Sequence, residues 1–317
     1  MTKPELLCTG HRRHSPVPQA CGTEIADGVF ACTPPGDGWC LNNAGLITGP
    51  EGVTAIDTVA TAPRSLALRA FAEALRAGPV RAVVNTHHHG GHTFGNALFP
   101  GATVIAHSLA RSEMAESGLA LTQLWPDAEW GEIRLVLPSV VFDERLTLYS
   151  GDRRIELVFC GPAHTTNDVV AWLPDDGVLF TGDVALSGAT PCTLAGSVEG
   201  ALRAVATLRA FGARTIVCGR GPVCGPEVLD ETEAYLRWVQ IIAMEGWQQG
   251  LTPMETAREA GAGDFGHLLD AERIVGNLHR AYAELDGGAL GRPLELPPVF
   301  AEMAEHNGGV LPACLAC

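Results

Sequence analysis

Four histidines fall within six positions, His87, His88, His89 and His92, directly after a short apolar run at residues 80–84. A brief run of Val and Ala bounded by polar residues reads as a buried strand, so the histidines sit where that strand leaves the core. Neutral imidazole is the commonest metal ligand in proteins. On extended chain alternate residues share a face. His87 and His89 therefore project together and His88 points away. Gly90 and Gly91 permit a sharp turn, which brings His92 back toward the same point. A polar loop that happens to hold histidines is the other account of such a segment; four so close together behind a buried strand favour a metal site. A fold for this chain has to place that strand end where other elements can converge on it.

The rest of the chain supplies the elements. An irregular arm is expected over residues 1–24, with His11 and His14 given no role. Strands are expected at 25–30, 39–48 and 53–57, then a helix at 63–77 whose apolar positions recur at helical spacing. The strand leading to His87 follows, then a short helix from Thr93, a strand at 102–106 and a helix capped by Ser108. His107 reads as structural. Residues 115–131 lack a clean period but carry Trp125 and Trp130, candidates for a pocket wall or for ordinary core. Strands return at 140–142, 145–149, 154–159, 169–173 and 178–181, followed by a helix at 198–211 and a strand at 215–218. Helices at 227–249, 253–260 and 271–285 form an extension over residues 226–291, which could shape the pocket or a homodimer interface. The tail, 292–317, is rich in proline and glycine and is expected to lie over the surface.

Composition narrows the partners. The formal net charge of −15 argues against nucleic acid, whose phosphates need a basic surface. No apolar run reaches the length of a membrane span. The N-terminus has no apolar core of a secretory signal, so a cytoplasmic location and reduced thiols are expected for the ten cysteines. Cys314 and Cys317 form a Cys-x-x-Cys pair near the end; a frayed reduced tail is the simplest account, metal or redox use the other. A small-molecule substrate is the remaining partner.

The segment from His87 to His92 resembles the His-x-His-x-Asp-His motif of the metallo-β-lactamase-fold metallohydrolases, with Gly91 where the family has Asp. Three further segments are similar to the family's, in its order: Gly161-Pro162-Ala163-His164-Thr165, Phe180-Thr181-Gly182-Asp183, and 216–222, where Arg220 stands in place of the family's last His. The resemblance covers roughly residues 25–225. It implies an α/β architecture, an αββα sandwich of two mixed sheets flanked by helices, here with a C-terminal helical extension. It also implies a metal centre of His87, His89, His92, His164 and Asp183, with His87, His89 and His164 as the first-site ligands and Asp183 in the bridging position.

A hydrolytic zinc site keeps three protein ligands and one open position, and the metal lowers the pKa of its water to about 7. The family's second site is depleted here. Gly91 offers no side chain, and a guanidinium stays protonated and cannot ligate. Only His92 and Asp183 remain, unless a cysteine such as Cys192 or Cys218 completes the set. The expectation is therefore one zinc ion, with Asp183 ligating or orienting and deprotonating the water. Arg220 partly replaces the missing charge, pairing with a substrate carboxylate or a developing oxyanion, or it is simply a structural partner of Asp183. The reaction expected is hydrolysis of an ester, thioester, lactone or amide. A mononuclear iron oxidoreductase using His87, His164 and Asp183 and a degenerate ligand-binding member of the fold stay open beside it.

Overall fold

A computed structural model describes residues 22–34, 38–310 and 314. The first sheet has seven strands in chain order: β1 (Thr23–Ala26), β2 (Val29–Cys32), β3 (Ala44–Gly49), β4 (Gly52–Ile56), β5 (Val80–Val84), β6 (Thr103–His107) and β7 (Val140–Phe142). β1 to β4 form an antiparallel meander and β4 to β7 run parallel. The second sheet runs β12 (Thr215–Cys218), β11 (Val178–Gly182), β10 (Val169–Leu173), β9 (Arg153–Phe159) and β8 (Arg145–Ser150), antiparallel except where β11 meets β12. Both sheets are mixed, as the fold expectation required.

Period-two alternation sorts the strands' side chains into layers. Ile47, Ile56, Val84 and Ile105 of the first sheet meet Leu157, Ala171, Leu173 and Phe180 of the second in the central core. Their neighbours Leu46, Ala55, Val83 and Val104 face the other way and pack with Leu68 and Ala72 of α1 (Ala62–Ala74). On the far side of the second sheet, Val158, Val170, Leu179 and Ile216 pack under α4 (Val198–Ala210), α5 (Glu227–Gln249) and α7 (Arg273–Leu285). The result is helix, sheet, sheet, helix. Leu236 and Val239 of α5 and Val275 and Leu278 of α7 belong to the same buried cluster as the sheet beneath, so the extension completes that core.

Several local expectations change. Residues 25–30 are a hairpin of β1 and β2 turning at Asp27-Gly28, with Gly28 at φ +67°. The strand expected at 39–48 begins only at Ala44, because Asn42 and Asn43 turn their amides inward to cap backbone carbonyls. Helix α3 (Ser108–Ser117) is capped by His107, whose Nδ1 accepts the Leu109 N–H at 3.1 Å; Ser108 pairs with Asp143 instead. The His107 Nε2 donates to Asp143 O at 2.7 Å, a structural role. The largest correction lies in the expected surface tail. Leu296–His306 is a helix, α8, with Val299 and Met303 buried. Its two prolines fall in the first turn, where backbone N–H groups have no intrahelical partner to lose. His11, His14 and Cys317 lie outside the described residues. Among those residues no helix is long and apolar enough to cross a membrane.

Candidate metal centre

Strand ends from both sheets meet at one rim. β5 ends at Val84 and hands the chain to His87 and His89; His92 lies in the short helix α2 (Gly90–Thr93). His164 sits in the loop between β9 and β10, and Asp183 immediately follows β11. Donor atoms of His87, His89 and His164 lie within 4.8 Å of one another, and so do those of His87, His92 and Asp183. The structure therefore brings together all five residues expected to ligate. Asp183 stands between the groups, with Oδ1 3.2 Å from His92 Nε2 and Oδ2 3.5 Å from His164 Nε2.

The surroundings assign the imidazole protons. Thr86 Oγ1 gives its hydrogen to Asp57 Oδ2 at 2.8 Å, so at 3.1 Å it can only accept from His87 Nδ1. His92 Nδ1 donates to Asp57 Oδ2 at 2.9 Å, and His164 Nδ1 donates to Cys192 O at 2.5 Å. His87 and His164 are thus held with their Nε2 lone pairs turned to the centre, as outer partners commonly hold metal-binding histidines, whereas His92 Nε2 faces the Asp183 carboxylate. His89 turns its Nδ1 inward, 3.0 Å from His164 Nε2. Four buried atoms at the centre lack a well-formed hydrogen bond: His87 Nε2, His92 Nε2, Asp183 Oδ1 and Arg220 Nε. Buried polar atoms are nearly always satisfied; His92 Nε2 and Asp183 Oδ1 face one another at 3.2 Å, and the His87 Nε2 lone pair is the acceptor left to fit a cation.

Electrostatics separate the two groups. Burial, then the neighbouring histidines, holds His87 and His89 well below the usual imidazole range; burial lowers His164 to about 4. These rings are neutral and ready to ligate. Burial opposes protonation of His92 too, but the Asp183 and Asp57 carboxylates on either side raise it to about 9. For Asp183 burial is outweighed by His92 and Arg220, which hold the carboxyl well below its usual range. Arg220 Nε lies 3.6 Å from Asp183 Oδ2, and its Nη1 donates to Gly38 O at 2.8 Å.

His88 faces away as expected, bonded through its backbone N–H to Asn167 Oδ1 at 3.0 Å. Gly91 lines the cavity, and a Cβ there would meet nothing within 4 Å. Nothing around Gly91 therefore obstructs the first atom of a side chain. Gly219 is the opposite case: a Cβ there would fall 1.9 Å from Asp183 Oδ1, so only glycine lets the Arg220 loop pass so close. Neither expected cysteine joins the ligands. Cys218 Sγ lies 3.8 Å from Cys224 Sγ, and Cys192 lines the cavity wall. Trp125 lines the cavity while Trp130 is buried against Phe94.

Sequence reading missed Asp57. It takes a left-handed φ of 61° just past β4 and accepts from Thr86 N–H, Thr86 Oγ1 and His92 Nδ1. An Asp closing a buried apolar strand was the available signal. It also missed Asn43, which ties β3 to the Arg220 loop through Cys218 O and Gly221 O, and Asp168, whose carboxylate pins the His164 loop through Ala163 and Thr165.

The comparisons agree with this geometry. The chain is 28% identical over 231 residues to a hydroxyacylglutathione hydrolase of Methylococcus capsulatus, covering 71% of this chain and 78% of that protein. It is 29% identical over 176 residues to a 2,4-dinitroanisole O-demethylase subunit alpha of Nocardioides sp., covering 52% of this chain and 44% of that subunit. A metallo-beta-lactamase structure from Pontibacter korlensis superposes with a TM-score of 0.58 at 22% identity, covering 68% of this chain and 98% of that one. Residues 37–220 of the 317 match the family profile, and the chain belongs to the metallo-beta-lactamase superfamily.

Proposed function

We propose that this protein is a zinc-dependent hydrolase of an ester, thioester, lactone or amide, with one metal ion held by His87, His89 and His164. The observation that carries the reading is the convergence of three imidazoles that burial keeps neutral, with donor atoms within 4.8 Å of one another and His87 Nε2 buried without a partner. A relative named for thioester hydrolysis is consistent with it. Three imidazoles with an open position form a hydrolytic zinc site; a set of His87, His164 and Asp183, which non-haem iron also uses, carries the alternative. When bound, such an ion supplies Lewis acidity and activates a water as nucleophile.

The chain's own residues do the rest. Asp183 lines the cavity with Oδ1 facing His92 Nε2 at 3.2 Å, placed to accept from a water and orient it. Held so far below the usual carboxylate range, it is a weak base, and orientation is the larger part of its role. His92, fixed by Asp57, keeps that carboxylate in place. Arg220, anchored on Gly38 O, offers a preorganised Nε–H for charge developing on the attacked group. The same guanidinium, with Gly91, leaves the second metal position short of ligands.

Elemental analysis of protein purified without added metal and dialysed extensively tests the proposal. About one zinc per chain is expected. Two ions about 3.5–4 Å apart in a crystal, or iron together with oxygen consumption, would overturn it.

A further inference from the structure

Beside the metal centre the cavity wall is apolar and largely aromatic. Trp39, Leu121, Trp125, Leu194, Leu296 and Phe300 line it. Three separate parts of the chain supply the rings: the loop before β3, the insert between α3 and β7, and α8. They form one cluster, with the Trp39 and Trp125 centroids 5.8 Å apart at 44° and those of Trp39 and Phe300 6.2 Å apart at 62°. Trp39 is fixed by its indole N–H, which donates to Glu272 Oε1 at 2.8 Å, and by a backbone bridge to Cys314.

The charged groups on the wall are already answered. Arg220 faces Asp183 and donates to Gly38 O; Arg273 pairs with Asp270 at 2.5 Å and donates to Thr190 O at 2.8 Å. Each guanidinium thus has an acid within ion-pair distance, and each keeps one Nε–H without a hydrogen-bond partner. One Nε–H can meet charge that develops at the reacting bond, but a permanently anionic substrate body would lose its hydration against apolar walls and guanidiniums that already face Asp183 and Asp270. A flat ring would instead gain apolar contact and tilted or edge-on packing against three rings.

We infer that the bulk of the substrate is an uncharged aromatic group seated among Trp39, Trp125 and Phe300, with its scissile bond toward Asp183 and Arg220. The inference rests on the hydrolase reading for the identity of that bond, and on the wall alone for the ring. Phe300 is the specificity residue most open to change, because it is half-buried on α8 and its backbone role does not depend on the ring.

Two measurements on the metal-loaded protein test it separately. In hydrolysis, kcat/KM for naphthyl acetate is expected to exceed that for a naphthyl acetate carrying a carboxylate on its far ring, and that for a glutathione thioester, by at least about ten-fold. In calorimetry, which needs no turnover, naphthylmethanol is expected to bind more tightly than S-methylglutathione. Phe300→Ala is expected to weaken naphthylmethanol about ten-fold, and Phe300→Leu, which keeps the helix face apolar, by less. Preference for the carboxylated ester or the thioester, or naphthylmethanol affinity indifferent to both variants, overturns the inference while leaving hydrolysis standing. If no ester is cleaved but naphthylmethanol binds in a Phe300-dependent manner, the hydrolase reading falls and the aromatic pocket stands.

Discussion

The two halves of the metal centre share His87 and Asp183 as neighbours, yet they are built on opposite terms. In the half made of His87, His89 and His164 the rings are neutral, and backbone or hydroxyl partners fix His87 and His164. The nearby positive charges belong to His92 and Arg220 of the other half. In the half made of His92, Asp183 and Arg220 the same kinds of groups already balance one another. A carboxylate lies between an imidazole flanked by two acids and a guanidinium tethered to Gly38 O. On the one-metal proposal, the charge already in place matters as much as the number of ligands.

Removing a ligand from the first half should break the comparison most completely. His87→Ala, His89→Ala or His164→Ala each leaves two imidazoles where hydrolytic zinc uses three protein ligands, so metal content and activity should both be lost. Metal analysis alongside circular dichroism checks this; full metal in any one of the folded variants would remove that residue from the set.

Arg220→Ala comes next. The metal should stay while kcat falls by about 10²–10³, the usual cost of one preorganised donor to a developing oxyanion. Arg220→Lys should recover part of the loss, since the ammonium lacks the planar fork. Unchanged turnover would make Arg220 a structural partner of Asp183.

Asp57→Ala frees His92 Nδ1 and both Thr86 donors at once. Changes to such outer partners cost about 10–100-fold in metal affinity or activity. Since Asp57 also sets the His87 tautomer through Thr86, metal affinity should fall even though the lost contact to His92 lies in the other half. Loss of activity with metal affinity intact would confine Asp57 to the second half.

The double change Gly91→Asp with Arg220→His should convert the second half into the likeness of the first, raising metal content from about one toward two ions per chain. Space for the new carboxylate exists at Gly91. A folded double variant that still binds one ion would show that something besides those two side chains closes the position. The smallest effect belongs to His88→Ala, which should keep the metal, because His88 is bonded to Asn167 on the far side of the turn.

Much of this was legible in order along the chain. The run at 80–84 and the spacing of His87, His89 and His92 are local patterns, and local patterns survive in sequence because strand alternation and glycine turns act over a few residues. The helices of the extension were legible for the same reason. Where the reading slipped, at 39–43 and at the start of α3, a side chain had taken over a backbone hydrogen bond, and whether Asn43 or His107 does so depends on a distant carbonyl or strand.

Tertiary structure alone decided the rest. His164, Asp183 and Arg220 are far from His87 in sequence and meet it only because both sheets end at one rim. Asp57 is an unremarked strand-end acid until Thr86 and His92 are packed against it. Residues 292–317 have the composition of a loose tail, yet Met303 and Val299 are buried on α8 and Phe300 of the same helix joins the cavity wall. Two prolines in a first helical turn look like a break in sequence. They become compatible with a helix once its apolar face has a core to cover, because burial of that face and not intrinsic propensity stabilises so short a helix.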